Sequence, residues 1–313
     1  GYDPARVDLP ELKLLGDRQL AFLHDWSQDW EGTEMKAALS QTAFCGAVHL
    51  HGSADNRLLA DLDCNGWPQT GRNNALKELR RGLATHLCGD QHLSVIVKHG
   101  IDEYRDGPYA FTNPAIVNTY YGRWWWPEDE KSGGGAPIDN ELPWTGDFQD
   151  GLYNKITMIA YANPEFGSMQ QMRDTSRHDD VNLGDGYGLV RFNKTTREIT
   201  YECWPRYADL NEGDKAQYKG WPFTFNMEDN DGREIFGYLP ELEFDIENPV
   251  VQVVNEENDE ILYTLRIQGT SYRPKVYANG SYTLKAGTNR PDSWSESGLN
   301  PAMDQQEKLE VSF

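Results

Sequence analysis

Leu87-Cys88-Gly89-Asp90-Gln91-His92-Leu93 decides how the rest of this chain is read. An apolar run ends in a glycine, and Asp-x-His follows at once. That order sets a carboxylate and an imidazole at the tip of a core strand, where glycine gives the backbone freedom to turn. Both side chains offer lone pairs to a divalent or trivalent cation. The same residues also suit a surface aspartate beside a hydrogen-bonded histidine after an ordinary strand, so the flanking sequence has to arbitrate.

Working outward, residues 17–30 read as a helix, with Asp17 able to cap it and Leu20, Leu23, Trp26 and Trp30 recurring on one face. A strand is expected over 35–44, then a loop rich in Gly, His and Asp as far as residue 71. A short helix over 73–81 turns Leu76 and Leu79 inward, and the next strand ends at Cys88. The alternation predicts an α/β layered sheet with its polar loops gathered at one end, the end where ligands bind in such folds. Residues 131–150, with Gly133-Gly134-Gly135 and several Pro and acidic residues, read as a loop or lid. Residues 187–204 read as a hairpin turning at Lys194-Thr195-Thr196, with Ile199, Tyr201 and Cys203 alternating after the turn. Beyond Arg206, Ile261, Tyr263, Leu265 and Ile267 recur with period two, 250–254 and 261–267 pair as a hairpin, and further short strands fall near 275–277 and 282–285. The expected map is a layered α/β domain over 1–206, a linker over 207–235 and a small immunoglobulin-like all-β sandwich over 236–313.

The charge balance narrows the partners. Against 29 Lys and Arg stand 50 Asp and Glu, a net charge of -21 spread along the chain, which argues against nucleic acid as a partner. No apolar run approaches the length of a bilayer span, and Gly1-Tyr2-Asp3-Pro4 has neither the basic nor the apolar region of a signal peptide. Cys45, Cys64, Cys88 and Cys203 lack CxxC spacing, which predicts buried thiols rather than a zinc knuckle. The aromatic load is densest at Trp124-Trp125-Trp126, a cluster expected to pack against long loops.

A second polar concentration lies at Asp61-Leu62-Asp63-Cys64-Asn65-Gly66-Trp67-Pro68-Gln69-Thr70-Gly71-Arg72. Asp63 can ligate a metal or orient Arg72, and Arg72, near a helix start, can fork onto a pair of phosphate oxygens. Equally, an Asn65-Gly66 turn pinned by an Asp63–Arg72 ion pair would need no catalysis. His49 and His51, on alternate residues of an extended segment, form a weaker metal pair. His24, His86, His99 and His178 have no partner spacing and read as structural. No GxSxG, HExxH or Walker motif occurs.

With these segments in view, the chain resembles, from about residue 14 to residue 206, the C-terminal half of the alkaline phosphatase D-like metallophosphatases of the calcineurin-like metallophosphoesterase superfamily. Leu14-Leu15-Gly16-Asp17-Arg18-Gln19-Leu20 is similar to that family's helix start, and 36–41 to the strand that follows. Asp63 with Gly66-Trp67-Pro68 and Arg72 is similar to its Asp, Gly-aromatic-Pro and Arg loop. Gly89-Asp90-Gln91-His92 resembles its final metal motif.

The resemblance implies a metal-dependent phosphoric ester hydrolase, secreted or periplasmic, with Asp63 and Arg72 catalytic and a phosphate ester as substrate. It implies that Asp90 replaces the first histidine of a Gly-His-x-His motif, that His92 keeps the second, and that Gln41 stands where many relatives place a ligand histidine. Such an oxygen-rich set suits calcium beside iron. The ligand segments of the family's first half do not occur here. The resemblance therefore implies that an upstream half of the same gene product completes the site and that this chain alone hydrolyses little. A reading from another class is a noncatalytic surface protein that holds glycans or a partner through its sandwich and the Trp124-Trp126 region.

Overall fold

The computed structural model describes residues 3, 6–51, 57–58, 60–116, 123–127, 134–163 and 184–313. Among them, the first half of the chain forms two helices and eight strands. These are α1 (Asp17–Gln28), β1 (Ala37–Thr42), β2 (Leu50–His51), α2 (Gln69–Arg81), β3 (Thr85–Gly89), β4 (Val95–His99), β5 (Tyr109–Thr112), β6 (Arg123–Trp124), β7 (Gly146–Gln149) and β8 (Lys155–Tyr161).

Six of these strands make one mixed sheet in the order β1-β3-β5-β4-β8-β7. β1, β3 and β5 run parallel, and β4, β8 and β7 continue the sheet antiparallel. A parallel pair needs a crossover, and α2 supplies it between β1 and β3. Its Ala75, Leu76 and Leu79 are buried against Phe44 and Ile101, with Leu23 and Trp26 of α1 packed alongside. α2 opens at Gln69, one turn before the expected 73, because Pro68 is preorganised just ahead of the helix and its carbonyl accepts from Arg72 N–H. α1 is capped at Gly16, whose N–H donates to the Gln19 side chain; Asp17 lies inside the first turn, where its charge suits the helix dipole.

A second sheet, of β9 (Gly186–Asn193), β10 (Glu198–Pro205) and β11 (Phe223–Asn226), covers the other face. Ile199, Tyr201, Cys203 and Phe225 pack there against Ile96, Phe111 and Ile159. The expected hairpin over 187–204 is β9 and β10. The stretch 207–235, expected as a linker, instead contributes β11 and buries Trp221, so it is part of this layer. The expected lid ends in the sheet's last strand, β7 (Gly146–Gln149), tied inward by Asp147 to Arg105 at 2.9 Å and Thr157 at 2.6 Å, while 134–145 is loop as expected and 131–133 lie outside the described residues.

The remaining strands are β12 (Gly237–Tyr238), β13 (Glu241–Phe244), β14 (Val250–Asn255), β15 (Glu260–Arg266), β16 (Ser271–Tyr272), β17 (Lys275–Val276), β18 (Tyr282–Gly287), β19 (Trp294–Leu299) and β20 (Lys308–Val311). The sheets β15-β14-β18-β19 and β16-β13-β20 close over one core, to which Trp30 and Leu83 from the first half also belong. Arg266 fixes that junction by donating to Trp30 O at 2.6 Å and Thr33 O at 2.8 Å. Few helices and many strands in several sheets make this a mixed α/β architecture. All four cysteines are free and buried. No helix among the described residues is long and apolar enough to cross a membrane.

Candidate functional site

Parallel strands end on the same edge of their sheet, and that edge is where open α/β folds collect ligands. Here the loop after β1 carries His51 and Asp63, the turn after β3 carries Asp90 and His92, and the segment after β5 carries Arg123. β2 and β6 pair antiparallel across this edge, which sets His51 directly opposite Arg123. The guanidinium of Arg123 donates to Asp63 Oδ2 at 3.1 Å, with Arg123 largely enclosed and Asp63 largely exposed.

The turn after β3 is strained. Asp90 has φ 61° and His92 φ 51°, both in the left-handed region, which costs about 1 kcal/mol or more at a non-glycine residue. Gln91 between them compensates. It is buried, and its amide donates to Asp63 O at 3.1 Å and to the Thr42 hydroxyl, stapling the turn to the end of β1 and to the Asp63 loop. Its Oε1 has no hydrogen-bond partner among the described residues. Asp90 is exposed and accepts from Gln41 Nε2 at 2.9 Å. Thus Gln41, Asp63, Asp90 and His92, four of the five expected site residues, lie along one edge.

Charge tunes the imidazole on this edge. His51 is held below its ordinary pKa by burial first, then by Arg123 and His92, with Asp63 opposing, so it is neutral near pH 7. Asp61 is buried, and burial pushes its carboxyl up to about 6 against the Asp63 N–H and Arg123. Its Oδ1 accepts from Asp63 N at 3.1 Å, which shapes the turn that presents Asp63, while Oδ2 has no partner among the described residues.

Arg72 is elsewhere. It is 1 % exposed, and its donors go to Phe44 O at 3.0 Å, Gly100 O at 2.5 Å, Asn73 Oδ1 at 2.8 Å and His99 Nδ1 at 3.1 Å. Arg72 lies on the face of α2 that turns into the core, so this fork cannot reach a phosphate at the edge. The pairing of Asp63 with Arg72 is likewise replaced by Asp63 with Arg123. Since arginine only donates, His99 must accept at Nδ1. Its Nε2–H then donates to His86 Nδ1 at 3.4 Å, and His86 Nε2–H to Ser40 Oγ at 2.7 Å, whose hydroxyl donates to Thr42 O. Both rings are neutral: burial, then Arg72, pushes His86 down to about 3, and burial pushes His99 well down. The structural reading of these two histidines holds, and His178 lies outside the described residues.

The His49 and His51 pair divides by role. His49 is buried, stacks on Trp125 at 4.7 Å and accepts from Trp126 N at 3.1 Å, while His51 joins the edge. Trp124 and Trp125 are 4 % and 0 % exposed, so they offer no stacking platform for a glycan; Trp126 packs on Trp144, as the loop-packing expectation has it. Arg123 is the residue that sequence reading missed. Its role depends on the pairing of β6 with β2, about 70 residues apart, and no local spacing signals it.

Among the described residues, no three His, Cys, Asp or Glu side chains converge to hold an ion. Gln41 presents its amide nitrogen to Asp90 rather than its oxygen to a cation. These donors therefore do not fit the calcium and iron centre on their own. Comparison with family models, with curated proteins and with solved structures gave no match.

Proposed function

We propose that the edge built by Asp63, Asp90, His92, His51 and Arg123 binds and hydrolyses phosphoric esters, with this chain supplying one part of the catalytic centre. One observation carries the reading: loops following three parallel strands bring a cation, two exposed carboxylates and two imidazoles to one place, on a turn that keeps two left-handed residues. Strain of that kind persists where the surrounding structure over-determines it, as at ligand sites.

The roles follow from the groups. Arg123 commits one N–H group to Asp63, and its fork has others with which to meet a phosphate oxygen. His51, neutral at pH 7, is in the form that takes a proton from an attacking water. Asp63 and Asp90 would repel a phosphate dianion unless a cation lies between, so turnover requires ion donors from outside the described residues, such as an upstream half of the gene product. A second reading draws on the incomplete ion cage: a phosphate-ester binder that does not turn over.

The test is titration of inorganic phosphate, with and without added calcium, iron or manganese, together with nitrophenyl phosphate hydrolysis. Arg123→Ala and His92→Ala are expected to weaken phosphate binding at least about tenfold, the factor equal to one lost charge-assisted contact of ~1.4 kcal/mol. Binding unchanged in both variants overturns the reading. Binding without hydrolysis when ions are supplied selects the second.

A further inference from the structure

Beside the edge lies an open cavity of about 440 Å3 that shares Gln41 and Asp63 with it. Its walls are mixed: Leu12, Leu14, Leu62 and Trp67 are apolar, and Lys13, Thr42 and Asn65 add polar groups. Leu12, Leu62 and Trp67 are 39 %, 54 % and 38 % exposed, so apolar surface faces solvent together at one place. A concave site of this volume with a few polar groups converging on it is of the size that takes a small molecule.

The wall is built rather than draped. Asp8 accepts from Thr70 N at 3.1 Å and from the Thr70 hydroxyl at 2.8 Å, which pins the N-terminal strap onto the start of α2. Further along the strap, Leu14 lies so close to Gly71 that a Cβ at residue 71 would meet Leu14 N at 2.6 Å. Trp67 turns its indole N–H to Leu62 O at 3.4 Å, so its polar handle is spent and its remaining contact surface is the ring.

We propose that this cavity is the subsite for the alcohol part of the ester, and that the alcohol it takes is aromatic or comparably flat and apolar. The inference rests on the phosphate-ester reading of the adjoining edge. A polyhydroxy alcohol could bond to Lys13 and Asn65 but has no flat apolar face to lay on Trp67, and a polynucleotide would meet a chain of net charge -21. An aryl group, in contrast, buries its ring against Trp67 and the leucines while its phosphate points toward the Arg123 guanidinium.

The experiment compares three probes on the whole chain by calorimetry: inorganic phosphate, glycerol 2-phosphate and phenyl phosphate. Phenyl phosphate is expected to bind about tenfold more tightly than glycerol 2-phosphate, a ratio that Trp67→Ala abolishes and Trp67→Phe largely keeps. Arg123→Ala weakens all three probes alike and leaves the ratio. Circular dichroism establishes that each variant is folded. Equal binding of the two esters by the wild type, or a ratio that survives Trp67→Ala, overturns the subsite while the phosphate reading stands. Phenyl phosphate binding that depends on Trp67 but not on Arg123, with no binding of inorganic phosphate, overturns the phosphate reading and the subsite's role with it.

Discussion

Replacing Arg72 by Met separates a structural arginine from a catalytic one. Methionine keeps much of the apolar stem but removes every donor, so Phe44 O, Gly100 O and His99 Nδ1 lose their partners inside the core. A buried acceptor without a donor costs about 1–3 kcal/mol, and relief of a buried charge offsets part of the total. A net loss of roughly 3 kcal/mol is expected. With an unfolding entropy of about 2.1 cal/mol/K per residue over this chain, that loss lowers the melting temperature by about 4–5 °C. Differential scanning fluorimetry and urea unfolding read the effect directly. Phosphate titration well below the transition should give the wild-type affinity, because Arg72 does not reach the edge. A melting temperature unchanged within about 1 °C, together with lost phosphate binding, would refute the burial argument.

The remaining perturbations probe neighbouring groups. His86 and His99 have folded pKa values below the unfolded 6.5, so the unfolded state takes up protons first and stability falls as pH drops below about 6.5; between pH 7 and 5 each costs about 2 kcal/mol by urea unfolding. Asp61 works the opposite way, since its folded pKa near 6 lies above the unfolded value and stability is regained as pH falls through it; it offsets about 1 kcal/mol over the same range. Asp61→Asn should therefore stabilise the protein by about 2–3 kcal/mol at pH 8 and steepen its acid sensitivity, and equal stability at pH 8 would show that Asp61 meets a cation in the native protein. Asp150, fully enclosed, accepts from Gly46, Leu152 and Asn154 N–H groups, so Asp150→Ala should cost roughly 3 kcal/mol or more in thermal unfolding.

Legibility in the sequence followed burial. The hairpin β9–β10 alternates apolar and polar residues because one face of β9 is open, while β14–β15, buried along nearly its whole length, shows itself by the every-second-residue recurrence of Ile261, Tyr263, Leu265 and Ile267 and by its turn. β4 and β8, as Val95-Ile96-Val97 and Ile156-Thr157-Met158-Ile159, are buried on both faces and carry no alternation, so the centre of the main sheet gives no periodic signal. At the site, Asp90 and His92 were legible because a glycine and two polar residues close an apolar run. Arg72 was misplaced because its position near a helix start says nothing of which face turns inward. Arg123 was invisible because a two-residue pairing of distant segments makes it a neighbour of His51.

The same contrast explains how the edge keeps its shape. Each of these site residues stands near a buried polar one that bonds to backbone: Asp61 behind the exposed Asp63, Gln91 between the exposed Asp90 and the half-buried His92, and His49 beside the half-buried His51. Asn163 adds a reciprocal pair on Trp125, donating to its carbonyl at 2.6 Å and accepting from its N–H at 2.9 Å, just beyond Arg123. An ion pair whose carboxylate stays in solvent, as in Asp63 with Arg123, contributes little stability itself, so its geometry must be imposed from beneath. Exposed groups are thereby free to trade partners with a ligand, while the buried polar groups hold the three loops in register. Chemistry is read from the side chains along the edge, but the precision of the edge resides in the buried polar groups beneath them, and variants of Gln91 should disperse the site before they unfold the sheet.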